Sequence, residues 1–169
     1  MHKLLLLLVF FEMPVAAQEP VVYQVKASYI YNFLQFVQFP DDNSAGEITV
    51  CILGENKFGS AIETLEGAAI PGAKIHIKLI NNYREALEIA PCKVVYIVGE
   101  DLALSRKILG DIDFTQVLTI GESSEFIGLG GYIELFSNDD SIRFRLNKTL
   151  VDKTQFKVAA QLLSLGVQG

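Results

Sequence analysis

The sequence predicts a single α/β domain: a mainly parallel sheet with helices on both faces, finished by a C-terminal β-hairpin and a helix. Three observations predict it. Short β-rich runs alternate with segments of helical spacing, as in strand–helix–strand units. Residues 93–98 read as a continuous apolar strand of the kind covered on both faces, and 116–120 as another buried strand. Near the C-terminus two runs, 132–136 and 142–146, flank the turn Ser137-Asn138-Asp139-Asp140-Ser141 and read as a hairpin.

Taken in chain order, residues 4–11 form an apolar run behind Lys3, and Val15-Ala16-Ala17 supplies the small residues of a signal-peptidase site. Eight apolar residues are too few to span a bilayer, which takes about 20. Residues 1–17 are therefore expected to be a signal peptide and residues 18–169 the exported domain, not membrane-spanning once the leader is cleaved. Between Val21 and Pro40 the one charge is Lys26. Gln24, Ser28, Asn32, Gln35 and Gln38 recur at helical intervals on one stripe, with Tyr29, Ile30, Phe33, Leu34 and Phe36 making a broad apolar face. Five polar side chains argue against a membrane span, so an amphipathic helix ended by Pro40 is expected.

A turn at residues 41–46 leads to a strand at 47–53, helical spacing at 58–65, and a strand at 74–80. In that last strand Ile75, Ile77 and Leu79 alternate with Lys74, His76 and Lys78. A helix is expected at 102–109 and a final helical segment at about 148–165. No repeat or linker divides the chain.

Composition sets limits on function. The 169 residues are 50% hydrophobic and carry a net charge of −6, and no stretch concentrates Lys and Arg. Nucleic acid is excluded as a partner on that ground. Cys51 and Cys92 are the two cysteines; in an oxidising compartment they are open to three readings, a structural disulfide, two inert thiols or a redox pair. The C-x-x-C spacing of redox enzymes is absent. His76, between two lysines on a polar strand face, reads as a solvated residue. One such histidine and two cysteines do not make a zinc site. Residues 54–60 lack a lysine after the second glycine, as a phosphate loop requires, and Asn147 at the head of a helix reads as an N-cap. No catalytic residue, cofactor or metal ligand set is nominated.

Two features point to contacts. Gly54-Glu55, Gly99-Glu100 and Gly121-Glu122 each end a strand, on the sheet edge where open α/β folds bind ligands. Three carboxylates there would attract a divalent cation, whereas the simpler reading has acids favouring helix N-termini. The loop holding Phe126, Ile127 and Leu129 among glycines either folds inward or presents an apolar surface. The aromatic face of Tyr29, Phe33 and Phe36 reads first as core packing and in the alternative as a contact; with the loop it gives six candidate partner contacts.

The order of segments resembles the YfiR-like family of bacterial periplasmic proteins. The resemblance is carried by Val25-Lys26-Ala27-Ser28-Tyr29-Ile30-Tyr31-Asn32-Phe33 with Phe36-Val37-Gln38-Phe39-Pro40, and by Cys51-Ile52-Leu53-Gly54 with Phe58-Gly59. Cys92-Lys93-Val94-Val95-Tyr96-Ile97 and Val117-Leu118-Thr119-Ile120 follow, then Phe126, Gly130-Gly131-Tyr132-Ile133, Ile142-Arg143-Phe144-Arg145-Leu146-Asn147 and Gln161-Leu162-Leu163-Ser164-Leu165. It implies a periplasmic regulator rather than an enzyme, similar to a repressor that binds the periplasmic sensory domain of a membrane-bound diguanylate cyclase, lowering cyclic-di-GMP output and biofilm formation. It also implies a disulfide between Cys51 and Cys92. The chain lacks the second cysteine pair of some members and has Gln155, Ala159 and Ala160 where the family often has glycine and small hydroxyl residues. Expected partners are thus the periplasmic domain of an inner-membrane signalling protein and, in a homodimer, a second copy. The alternative is a periplasmic small-molecule or metal-ion binding protein.

Overall fold

The computed structural model describes residues 21–40, 46–84, 88–139 and 141–167. The leader expected over residues 1–17 lies outside them, as do residues 41–45 of the first turn and Asp140 of the hairpin turn.

The chain opens with α1 (Val21–Phe36), which passes directly into the short strand β1 (Val37–Gln38). The helix thus stops before Pro40, earlier than the sequence predicts. The reason is tertiary: Val37 pairs with Val158 of a distant strand, and the Phe36 carbonyl accepts the Ala159 N–H at 2.9 Å. The polar stripe behaves as its spacing predicts, with Gln24, Ser28 and Asn32 exposed and Ile30, Phe33 and Leu34 buried.

Strand β2 (Glu47–Leu53) leads to the single helical turn α2 (Ser60–Glu63), then β3 (Ala69–Ile70), β4 (Ala73–Ile80), β5 (Val94–Ile97), α3 (Leu102–Asp111) and β6 (Leu118–Gly121). The hairpin β7 (Ile133–Asn138) and β8 (Ser141–Leu146) follows. One seven-stranded sheet results, in the order β3-β4-β2-β5-β6-β7-β8. Its five inner strands β4, β2, β5, β6 and β7 run parallel, and the outermost pairings, β3 with β4 and β7 with β8, are antiparallel. The central strands β5 and β6 are buried along their whole length, which is why their sequences show no alternation.

Alternate residues of β2 enter two separate cores, as the two-residue period of a strand requires. Val50 and Ile52 pack in a cluster with Ile30 and Phe33 of α1, Tyr96, Ile120 and Phe144. Cys51 and Leu53 pack in a second cluster with Val95, Ile97 and Ile108 of α3. Helix α3 is started by Asp101, whose carboxylate accepts the Leu104 N–H at 3.0 Å. In β4 the alternation holds for Ile75 but not for Leu79, which is 43% exposed, while Ile80 turns into the second core.

The C-terminal segment corrects the sequence reading most. Instead of one helix over 148–165 there are two short ones, α4 (Lys148–Lys153) and α5 (Ala160–Leu165), separated by β9 (Lys157–Val158). Asn147 caps α4 through the Leu150 N–H at 3.2 Å. The helix then breaks because Phe156 inserts into the core, edge-on to both Tyr132 and Phe39. Thr154, extended at the break, accepts a 2.6 Å hydrogen bond from the Tyr132 hydroxyl. Burying an aromatic ring outweighs the few tenths of a kcal/mol per residue that separate ordinary helix propensities.

Candidate functional site

The sequence singles out the carboxyl ends of β2, β5 and β6, and the fold does bring them side by side, since these strands are parallel neighbours. Gly54 and Gly99 turn the chain there in the left-handed region, with φ of 106° and 83°. The three carboxylates nonetheless do not converge. Glu55 and Glu100 are exposed, whereas the Glu122 side chain is only 7% exposed. Among the described residues no three His, Cys, Asp or Glu side chains gather to hold a metal ion.

Glu122 is the centre of a polar cluster instead. Its carboxylate accepts hydrogen bonds from the Tyr96 hydroxyl at 2.6 Å, the Tyr23 hydroxyl at 3.1 Å and the Gly99 N–H at 3.0 Å. The Lys26 ammonium, on a side chain 10% exposed, lies 3.1 Å from the same group and 4.5 Å from the Tyr23 ring centroid. Burial first, then the neighbouring Glu122 charge, push both tyrosine hydroxyls well above the usual phenol range, so both stay protonated donors. The two hydroxyls, the Gly99 N–H and the Lys26 ammonium all address one carboxylate. The cluster fastens α1, through Tyr23 and Lys26, to the end of the parallel sheet, with the charge compensated on the spot.

The sequence carried a signal for this cluster that its amphipathic reading passed over. A lone lysine on a helix that is otherwise apolar and amide-bearing must find a counter-charge if the helix packs on a sheet. Lys26 is that residue, and a strand-end glutamate is its partner.

The glycine-rich loop folds inward at its aromatic end. Phe126 is fully buried with its ring between two glycines: a Cβ on Gly121 would sit 2.3 Å from it, and one on Gly131 2.2 Å. Ile127 and Leu129 remain half-buried. Ile127 lines an open cavity of about 240 Å³ with Leu146, Asn147, Leu163 and Val167. The Asn147 amide, which donates to the Gly131 carbonyl at 3.0 Å, ties this loop to α4.

The aromatic face of α1 divides likewise. Phe33 is fully buried against Phe144. Tyr29 and Phe36 are half-buried, and the Tyr29 hydroxyl donates to the Ile142 carbonyl at 2.8 Å. Phe33 and Phe126 are thus spent on the core, the inward of the two readings open at each place. Surface at these places falls to Tyr29, Phe36, Ile127 and Leu129.

Cys51 and Cys92 form a disulfide with Cα atoms 5.8 Å apart. Cys51 lies within β2 and Cys92 just ahead of the neighbouring strand β5, so the bond clips two adjacent parallel strands, and both residues are buried. Of the three readings, the bond removes that of two free thiols. His76 is exposed with its Nδ1 3.1 Å from Glu66. Among the described residues no helix is long and apolar enough to cross a membrane.

The disulfide clips two strands of this α/β domain, and the Glu122 cluster holds a helix to the sheet. A model of the YfiR/HmsC-like family matches residues 23–167, and the chain belongs to that family. No curated protein matches it.

Proposed function

We propose that the chain is an exported regulator that acts by binding: it engages the periplasmic sensory domain of a membrane-bound signalling enzyme, a diguanylate cyclase, and represses it, lowering cyclic-di-GMP. The observation that carries this reading is the family match over residues 23–167. A disulfide is consistent with an oxidising compartment outside the cytoplasm. The described chemistry points the same way, since the Glu122 carboxylate and its donors satisfy one another.

Repression by binding is a population shift. The regulator must bind the inactive state of the receptor more tightly than the active one, and a tenfold loss of output takes a difference of about 1.4 kcal/mol. Deleting the gene and restoring it in trans is expected to raise and then lower cyclic-di-GMP. A pull-down from detergent-solubilised membranes with the purified protein as bait is expected to recover a cyclase. An unchanged nucleotide level together with an empty pull-down would refute the reading.

A further inference from the structure

The two edges of the seven-stranded sheet are finished differently. At β8 the outward carbonyls are occupied: Ile142 by the Tyr29 hydroxyl at 2.8 Å, and Phe144 by the Val167 N–H at 2.9 Å. Val167 forms a parallel bridge with Arg145 there. At the other edge β3 is two residues long and pairs only with Ala73 and Lys74. The bend before it extends the cover by one residue, through Gly67 N–H to the Ile75 carbonyl at 2.8 Å and Ile75 N–H to the Ala68 carbonyl at 3.0 Å. Past that point the Ile77 N–H is held by the Glu66 carboxylate at 2.7 Å. Among the described residues no strand pairs with β4 beyond this carboxylate.

The ladder fixes which groups are left. Ile80 gives its carbonyl to Gly54, on the β2 side, so alternation points the N–H and C=O of Leu79 away from β2, along with the Ile77 carbonyl. The Leu79 side chain is 43% exposed at the same place. Lys74, His76 and Lys78 stand on one face of this strand; Lys74 lies opposite Ala69 of β3, so Lys78 is the base within the open stretch. His76 faces Glu66, and the Lys78 ammonium donates to the Glu88 carbonyl at 2.7 Å.

Taking the reading that this chain works by binding protein, we propose that the β4 edge from Ile77 to Leu79 accepts an extended, acid-bearing segment of a protein partner as an added strand. Main-chain hydrogen bonds to Ile77 and Leu79 would supply attachment, and the basic face would select acidic side chains. A second copy is the wrong occupant. In an antiparallel pairing over Ile77–Leu79, Lys78 falls directly opposite Lys78 of the copy, and like charges directly opposite destabilise. The Glu66 carboxylate marks where the added strand must stop or displace it.

The test uses a short peptide of alternating valine and glutamate, with a valine–lysine peptide as control, on the purified protein. The acidic peptide is expected to bind at least about tenfold more tightly and to slow hydrogen exchange at the Leu79 amide. Leu79→Pro removes an outward N–H without touching the β2 ladder, and is expected to abolish binding at an unchanged melting temperature. Lys78→Glu leaves the backbone intact and is expected to reverse the peptide preference. Equal binding of both peptides, or protection elsewhere on the fold, would overturn the proposal. So would Leu79 protection that rises with protein concentration in the absence of peptide, which would show self-pairing. If Leu79→Pro loses the peptide yet still represses the cyclase in cells, the docking edge fails and the regulatory reading stands. If the peptide binds as expected but gene deletion leaves cyclic-di-GMP unchanged, the regulatory reading fails and the edge stands.

Discussion

The ammonium of Lys26 lies 3.1 Å from the carboxylate of Glu122, joining the first helix to the end of the strand β6 with both side chains almost wholly buried. Removing one partner of such a pair leaves the other charged and desolvated. Lys26→Met is expected to cost about 3–5 kcal/mol by urea unfolding. Adding Glu122→Gln should recover part of that loss, because the orphaned charge is then removed. A Lys26→Met variant within 1 kcal/mol of wild type, on this order of magnitude, would mean that the pair is not what holds α1.

Gly121 and Gly131 leave room for one ring. A Cβ at either position meets Phe126 at 2.3 or 2.2 Å, closer than real Cβ atoms approach. Gly131→Ala is expected to destabilise by about 1–3 kcal/mol through overpacking. In a Phe126→Ala background the same substitution should cost much less, since the atoms it strikes are gone. Additive costs in the double variant would show that the glycine serves its backbone and not the ring.

The Cys51–Cys92 bond closes a loop of 41 positions. In the chain-entropy account it stabilises by about 4 kcal/mol. Cys51→Ala with Cys92→Ala is expected to lower the unfolding midpoint accordingly, and wild type treated with reductant in denaturant should behave like the double variant. A variant as stable as the oxidised protein would count against the clip.

Glu66 provides a pH signature. The Ile77 N–H first, then His76, hold its carboxyl below the ordinary glutamate value of 4.5. A depressed carboxyl contributes stability that is fully present above the unfolded value and lost as pH falls through the folded one. The stability difference between wild type and Glu66→Gln is therefore expected to favour wild type at neutral pH and to shrink below about pH 4.5. Unfolding midpoints measured across that range check it; a difference that grows on acidification has the wrong sign.

Much of the architecture could be read from local pattern. Strand β2 falls at Glu47–Leu53 as its composition predicts, and the apolar runs at β5 and β6 are buried along their length. The start of α4 at Asn147 could also be read, because a capping side chain acts on N–H groups three residues away. The site was less legible. Glu122 stands in the same Gly-Glu dipeptide as Glu55 and Glu100, and nothing local distinguishes it. Its partners Tyr23, Lys26 and Tyr96 come from two elements far apart in the chain.

By itself the sequence determined the alternation of strands and helices, the amphipathic stripe of α1 and the acidic balance, all of which depend on residues within a few positions of each other. Only the tertiary structure decided that residues 148–165 break into two helices around Phe156, that Phe126 and Phe33 turn inward, and that Glu122 is matched with Lys26. Propensity and periodicity act over one or two turns. The energy of burying a ring or pairing a desolvated charge is several times larger, and it depends on neighbours that meet only once the sheet has formed.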